Sequence, residues 1–337
     1  APQTADADNI NNSIYVYSNK ATLNIDGTNV FGTMIRNVSG TVNVNGANEF
    51  DANILNTSGT MNFDGVNTFN ASISNTRNGN ITMQGKNIFT GLTGENGSAI
   101  SNLASTLNIS GNTTFTGNTA TQFGGAIYLG SSSIANINAD FGGLNVGDGN
   151  TAERGGAIYI DTAKNVVISG NFINNTANQL GGAIYSNSDF TITALDDTEI
   201  TFSGNTANGV SNAIYMDNPI STIPTITFNL SGTSSMTFYD IVTGYEATTP
   251  INRFNINITN STAEGVDNNP TVNFYNYVNN ANITINDIAV TFDASKALIT
   301  GTTSDDDKKT ISQDFLKNSS IKLVSGQLTL NTVTLNN

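Results

Sequence analysis

The phrase FTGNTATQFGGAIYL at residues 115–129 decides the fold, because related copies of it recur up to Tyr215. Each copy joins Asn-Thr-Ala to a later Ala-Ile-Tyr, and the four Tyr residues follow one another at steps of 31, 26 and 30 residues. A unit that repeats every 20–50 residues, about the range seen here, is typical of a solenoid, since one unit cannot bury its apolar face alone. The sequence therefore predicts a stack of similar rungs.

Two short elements define the repeat. Three copies carry Gly-Gly before Ala-Ile, and three carry Phe three residues before Asn; the second copy lacks that Phe, and the fourth has Ser211-Asn212 in place of the glycines. We expect the Asn residues to form a hydrogen-bonded ladder, and the glycines to allow a positive φ or a close approach of the neighbouring rung. The motif residues are Phe115, Asn118, Gly124, Gly125, Ala126, Ile127, Asn150, Gly155, Gly156, Ala157, Ile158, Phe172, Asn175, Gly181, Gly182, Ala183, Ile184, Phe202 and Asn205.

A shorter repeat leads into these copies. Gly-x-x-x-Phe recurs five times, from Gly27–Phe31 to Gly111–Phe115, at steps of 19, 19, 20 and 26 residues. An alternating strand such as Leu23-Asn24-Ile25 precedes each glycine, and a strand with one central Ile follows each of the first four Phe residues, where later copies place Ala-Ile-Tyr. Period-two alternation sends the apolar pair, the Phe and the central Ile inward. Both repeats therefore predict one parallel β-helix.

The pairing of Gly-Gly-Ala-Ile with Phe-x-x-Asn resembles the repeats of the chlamydial-type polymorphic outer membrane proteins. Members of that family are autotransporter-like surface proteins whose passenger is a right-handed β-helix used in adhesion. The resemblance implies an all-β fold, a right-handed parallel β-helix (β-solenoid), located on the bacterial cell surface at the outer membrane or secreted. It also implies an adhesin that binds a cell-surface protein or glycan receptor on host or neighbouring cells, and membrane attachment only through a barrel that lies outside this chain.

Two segments are expected. Residues 1–218 are predicted to be a β-helix built from the two repeats, and residues 219–337 its continuation with longer loops, among them 304–309. The runs Phe238-Tyr239-Asp240-Ile241 and Gly326–Leu330 resemble the middle segment that follows the repeats in that family. At ~25 residues per rung the whole chain predicts ~13 rungs.

Composition excludes several functions. Twelve basic and 26 acidic residues give a net charge of −14, which argues against binding to nucleic acid or to an anionic membrane surface. The chain contains no His and no Cys, so the usual nucleophilic triads, His-based metal sites and thiolate chemistry are excluded. We predict no catalytic residue, no metal site, no cofactor and no enzymatic activity.

Alternative functions remain open at this point. A carbohydrate-active β-helix enzyme, a polysaccharide lyase or hydrolase, is one, and hydrolysis needs two carboxylates ~5–9.5 Å apart. Asp196 with Asp197, or Asp26 with Asp64, are the candidate pairs, although each also suits a loop tip or a turn. The run 147–150 (Gly-Asp-Gly-Asn) has residue types suited to a calcium loop or to a plain turn. A surface stalk that binds nothing is a further alternative.

The tyrosines of the four copies form a candidate partner-binding stripe. If the Ile of each Ala-Ile-Tyr points inward, alternation sends the adjacent Tyr outward. An exposed stripe of aromatic rings suits binding of a glycan or a protein, whereas stacked rings stabilise neighbouring rungs instead. The stripe consists of Tyr128, Tyr159, Tyr185 and Tyr215.

Overall fold

The computed structural model describes residues 13–195, 197–217, 223–246, 253–262, 269–297 and 314–333. Strands predominate there, with one 3-10 helix at Ala294–Lys296, and they are arranged in four sheets. Among the described residues, all strand pairs are parallel apart from the antiparallel pair Thr206–Ala207 with Val210–Ser211. The chain forms a right-handed parallel β-helix, which confirms the predicted fold class.

Sheets 1 and 2 meet at one corner of the helix. Sheet 1 contains the strands that begin with the central Ile in most rungs. Its described strands are Ile14–Val16, Ile35–Asn37, Ile54–Asn56, Ile73–Thr76, Ile100–Leu103, Ile127–Leu129, Ile158–Ile160, Ile184–Ser186, Ile214–Met216 and Val242–Gly244. Sheet 2 contains the strands with the alternating apolar pair. Its described strands are Thr22–Ile25, Thr41–Val44, Thr60–Phe63, Asn80–Met83, Thr106–Ile109, Ile134–Asn138, Asn165–Ser169, Phe190–Ala194, Thr225–Leu230, Phe254–Asn260, Ala281–Asn286 and Ser320–Leu323.

Sheet 3 follows sheet 2 in each rung and carries the Phe. Its described strands are Thr28–Phe31, Ala47–Phe50, Val66–Phe69, Lys86–Thr90, Thr113–Thr116, Asp140–Gly142, Phe172–Ile173, Glu199–Ser203, Ser235–Phe238, Thr271–Phe274, Ile288–Asp293 and Gly326–Asn331. Sheet 4 is inserted between sheets 3 and 1 in the longer rungs. Its described strands are Thr93–Asn96, Thr119–Phe123, Thr151–Arg154, Thr176–Leu180, Thr206–Ala207 and Val210–Ser211.

The register joins the two repeats into one family, as predicted. Ile100 of the shorter repeat pairs with Ile127 of the longer one, and Ile127 pairs in turn with Ile158. Sheets 2 and 3 each have twelve strands in the described residues. At ~4.8 Å per rung their first and last strands lie ~53 Å apart. The described residues beyond 219 continue both sheets, while the division at 218/219 stays a prediction and 304–309 lies outside the described residues.

The core is organised around one column of Phe rings on the inner face of sheet 3. Successive ring centroids lie 4.3–5.1 Å apart, and the ring planes of neighbours differ by at most 15°. Buried apolar pairs of sheet 2 and the central Ile residues of sheet 1 complete each layer. The column consists of Phe31, Phe50, Phe69, Phe89, Phe115, Phe141, Phe172, Phe202, Phe238, Phe274 and Phe292.

The second copy, which is incomplete in the sequence, has its Phe in the structure. Phe141 pairs with Phe115 below and Phe172 above, and its ring stacks on both. Residues 142–149 separate Phe141 from Asn150, whereas two residues separate Phe from Asn in the other three copies. The motif is therefore complete in space, and an insertion disguises it in the sequence.

Truncation of one ring in the column should cost far more than a change on the opposite face of the same strand. Phe202→Ala removes a fully buried ring that stacks on two neighbours and is expected to lower the free energy of unfolding by about 3–5 kcal/mol. Thr201→Ala, on the outer face of that strand, should cost under about 1 kcal/mol. Urea unfolding followed by circular dichroism measures both, and equal losses would contradict the stacked core.

Candidate binding face of the repeats

The Asn of each Phe-x-x-Asn forms the predicted ladder. The Nδ2 of Asn118 donates to the Oδ1 of Asn150 at 2.9 Å, Asn150 donates to Asn175 at 2.8 Å, and Asn175 donates to Asn205 at 3.0 Å. All four side chains are fully buried. Asn150 takes part although its Phe is displaced in sequence, so all four copies contribute to the ladder.

Each ladder amide also bonds to the backbone. Asn118 donates through Nδ2 to the carbonyl of Phe89 at 3.1 Å, and the later members make the same bond one rung higher each time. The backbone N–H of Asn118 donates to the Oδ1 of Asn150 at 3.1 Å. A buried amide costs little when its donors and acceptor are satisfied, so the ladder closes the polar edge between sheets 3 and 4.

The ladder has a direction, and a different group ends it on each side. At the lower end the backbone N–H of Leu92 donates to the Oδ1 of Asn118 at 3.0 Å. At the upper end the Asp240 carboxylate accepts from Nδ2 of Asn205 at 2.8 Å, and also from the backbone N–H groups of Asn205 and Gly204 and from the Ser211 hydroxyl. Burial raises the pKa of Asp240, while the hydrogen bonds from Asn205 and Ser211 oppose that shift.

Two further Asn columns were not predicted from the sequence. One runs along the turn between sheets 2 and 3 and ends on the Thr113 hydroxyl; its members are Asn29, Asn48, Asn67 and Asn87. The other lies at the corner of sheets 1 and 2, where Asn56 donates to Asn75 and Asn75 donates to Asn102, while Asn37 in the rung below donates to backbone carbonyls instead. The sequence did contain a pattern that could have predicted both columns, because each Asn stands two residues after a repeat glycine or after a central Ile.

The Gly-Gly pair plays the two backbone roles that were predicted. The first glycines, Gly124, Gly155 and Gly181, have φ between +62° and +68°. The second glycines lie against the next rung: a Cβ on Gly125 would stand 2.0 Å from the carbonyl oxygen of Gly156. A side chain cannot be accommodated at that distance, so the pair permits sheet 4 to turn into sheet 1.

The fourth copy closes the insertion. Without the glycines, Thr206–Ala207 folds back on Val210–Ser211 as an antiparallel hairpin. Its two-residue loop has positive φ at both positions, +49° at Asn208 and +73° at Gly209, as a type I′ turn requires. Sheet 4 and its Asn ladder therefore end together near Asp240.

The tyrosine stripe points away from the core, as predicted, but it is not an exposed surface. Tyr159 and Tyr185 are only 7% and 2% exposed, whereas Tyr128 and Tyr215 are half-buried. The rings stack in series with centroids 5.7, 4.7 and 5.9 Å apart. The expected exposure is therefore wrong for the two central rings, because each is covered by its neighbours on both faces.

Residues from sheet 4 and from the turns after sheet 1 flank the stripe. Phe123 lies 4.5 Å from Tyr159 between ring centroids, and the Arg154 guanidinium lies 5.6 Å from the centroid of the Tyr185 ring. The Tyr128 hydroxyl donates to Asp161 at 3.3 Å, and the Tyr185 hydroxyl donates to Asp217. Alternation along sheet 1 predicts the direction of a ring but not these covering groups.

Burial and the two carboxylates raise the pKa of the tyrosine hydroxyls. Burial raises the pKa of Tyr128 to about 12, and Asp161 adds to the shift. The pKa of Tyr185 is raised by burial and then by its hydrogen bond to Asp217. Burial likewise raises the pKa of Tyr159 and Tyr215. Stacking of a sugar on a ring face is blocked at the two central rings, and a partner-binding role for the stripe stays a prediction.

The candidate acidic groups mostly serve the backbone or neighbouring rungs. Asp197 accepts hydrogen bonds from the Thr233 backbone and hydroxyl, which lower its pKa, and Asp196 lies outside the described residues. Asp26 accepts from the Asn45 amide at 2.9 Å, and Asp64 accepts from the Gly65 backbone at 2.7 Å. In the described ranges, no group of three or more acidic residues is arranged to hold a metal ion.

The calcium-loop candidate is part of the insertion in the second copy. Asp148 accepts from the backbone N–H and the side-chain amide of Asn145 at 3.0 and 2.8 Å, while Asn150 belongs to the buried ladder. Leu144 is 88% exposed and Val146 is fully exposed on the same loop. The sequence analysis did not single out these two residues; two aliphatic residues within a Gly-rich run were the available signal.

Asp240→Asn should expose the directionality of the ladder. An amide would place N–H donors against groups that already donate, so we expect a loss of about 1–3 kcal/mol in the free energy of unfolding. Because the pKa of Asp240 is raised above its ordinary 3.8 in the folded state, its contribution is full below that pH and falls as the pH rises. The difference between native and Asp240→Asn chains in urea unfolding should therefore be largest below about pH 4 and narrow as the pH rises. A constant difference would contradict the raised pKa.

Tyr159→Ala should behave as a core substitution rather than a surface one. The change removes stacking on Tyr128, Tyr185 and Phe123, and we expect a loss of about 2–4 kcal/mol in the free energy of unfolding. Tyr245→Ala is the control, since that ring is 51% exposed, and it should cost under about 1 kcal/mol. Similar small losses in both urea titrations would show that the stripe does not stabilise the rungs.

Comparison with known proteins identifies the repeat. Residues 112–130 and 165–187 match the family model of the Chlamydia polymorphic membrane protein repeat. No curated protein and no solved structure matches the chain significantly. In the part of the chain that the structure describes, no helix is long and apolar enough to cross a membrane. The first match contains the Phe, Asn and Gly-Gly-Ala-Ile of the first copy, and the second contains those of the third. The chain therefore carries the repeat of the chlamydial-type polymorphic membrane proteins, a family of surface proteins.

Proposed function

We propose that this chain is an extracellular passenger domain that acts as an adhesin, binding a protein or glycan receptor on host or neighbouring cells. The observation that carries the proposal is a surface-protein repeat, matched at two places, within a stack whose sheets 2 and 3 each pair twelve described strands. Such a rod projects binding surfaces away from the surface that bears it. Its rigidity comes from parallel pairing along its whole described length.

The outer face of the rod supports this role because its polar side chains are held in place. On sheet 2 the Asn43 amide donates to Asn24 at 2.9 Å, and Asn62 donates to Asn43 at the same distance. Side chains that are already ordered lose less conformational entropy when a partner binds. Repeated rungs also present similar groups several times, so weak contacts along the rod add avidity to any stronger contact.

Of the candidate pair Asp196 and Asp197, the structure describes Asp197, and this residue is poorly suited to act as a general acid. Asp197 bonds to Thr233 of the next rung, and those bonds lower its pKa. A general acid for glycoside hydrolysis needs a raised pKa instead. This contact argues against Asp197 as the general acid of a carbohydrate-active enzyme.

The purified domain should bind cultured animal cells saturably, and heat-unfolded protein should not. Asp196→Asn combined with Asp197→Asn should leave the dissociation constant unchanged, because contacts spread over a long face do not depend on one acidic pair. Flow cytometry with fluorescently labelled protein provides the measurement.

A polysaccharide assay separates the adhesin from the enzyme. The native domain should release neither reducing ends nor unsaturated sugars from a panel of uronic-acid and neutral polysaccharides. Release that disappears in the double variant would contradict the adhesin function and establish the enzymatic alternative.

A further inference from the structure

The insertion at residues 142–149 is a feature that the scaffold does not require. Phe141 before it stacks at 5.0 and 4.8 Å on its two neighbours, and Asn150 after it keeps both ladder bonds. The other three copies connect Phe to Asn with two residues and make the same columns. The loop therefore adds surface without adding to the core.

The loop is nevertheless held in one conformation. The Asp148 carboxylate accepts hydrogen bonds from the backbone N–H and the side-chain amide of Asn145. The Asp148 backbone N–H donates in turn to the Asn145 carbonyl at 3.2 Å. Its base is fixed to both adjacent rungs. Gly117 from the rung below donates to the Asp148 carbonyl at 2.7 Å, and Asn174 from the rung above donates to the Gly143 carbonyl at 2.9 Å.

The pinned loop presents two aliphatic side chains to solvent. Leu144 and Val146 are more exposed than any other large apolar residue in the described part of the chain. Burying an exposed aliphatic side chain in an apolar pocket stabilises a complex in proportion to the area removed from water. A contact that is already ordered before binding also avoids much of the entropic cost of forming it.

We propose that Leu144 and Val146 are the principal contact of this domain with a protein partner, which receives them in an apolar pocket with basic groups at its rim. The inference rests on the proposed adhesin function and names the part of the surface that binds. The basic rim follows from charge: residues 131–149 contain two acidic residues, Asp140 and Asp148, and no Lys or Arg.

The chemistry of the loop favours a protein over a glycan or a membrane. Glycan recognition uses aromatic faces and free polar groups, whereas here the tip is aliphatic and the Asp148 carboxylate is already bonded to Asn145. Attachment of a loop to an anionic membrane surface needs clustered basic residues, and this loop is flanked by acidic ones. An apolar pocket in a protein suits two neighbouring aliphatic side chains.

The test compares two matched double variants in cell binding. Leu144→Ser with Val146→Ser should weaken binding of the labelled domain at least ~10-fold, because the complex would lose the apolar area that both side chains remove from water. Val30→Ser with Val66→Ser removes two other exposed valines, which are 65% and 45% exposed, and should leave the affinity unchanged. Both variants should keep the native unfolding midpoint, since all four side chains lie at the surface.

Two further arms identify the class of partner. Trypsin treatment of the cells before the assay should abolish binding of the native domain. Binding that survives trypsin but is lost after glycosidase treatment would overturn the inference in favour of a glycan. Binding to vesicles of phosphatidylcholine and phosphatidylserine that depends on Leu144 and Val146 would overturn it in favour of a membrane.

Failure of this inference can be told apart from failure of the proposed function. If the native domain binds cells and the loop variant binds equally well, the loop is not the contact, and the adhesin function stands. If the native domain binds no cells, the adhesin function fails and the inference fails with it.

Discussion

The fold depends on one constraint, the parallel register that places equivalent side chains one strand spacing apart. Eleven Phe rings meet this constraint from Phe31 to Phe292, and their stacking makes each rung the template for the next. Residues can be added to a rung only where they leave the columns intact. That rule explains how rungs of 19 residues and rungs of about 30 residues coexist in one helix.

A chain with 37% hydrophobic residues needs polar groups in its interior, and the Asn columns satisfy that need. An amide both donates and accepts, so a column of amides satisfies itself except at its ends. The column from Asn118 to Asn205 ends on a pure donor at Leu92 and on an acceptor at Asp240. These two end groups therefore set the length of the ladder, and sheet 4 extends over the same rungs.

The sequence predicted the β-helix and the inward residues because both follow from spacing and alternation. Phe141 was missed because an inserted loop breaks a fixed spacing while leaving the spatial column unchanged. The ladders that begin at Asn29 and Asn56 were missed because Asn is frequent throughout the chain, and only the register distinguishes a ladder Asn from a turn Asn. Burial of Tyr159 depends on Phe123, which belongs to a sheet whose position alternation cannot reveal.

The same constraint indicates where variation in function is tolerated. The family model matches the first and third copies, and the insertion lies in the second copy between them. A substitution in the Phe or Asn column would disturb both neighbouring rungs, whereas a loop between Phe141 and Asn150 changes neither column. Surface chemistry can therefore change in such loops at little cost to stability. A solenoid with a repetitive core acquires specificity where its repeat is interrupted, and the segment with Leu144 and Val146 is such an interruption.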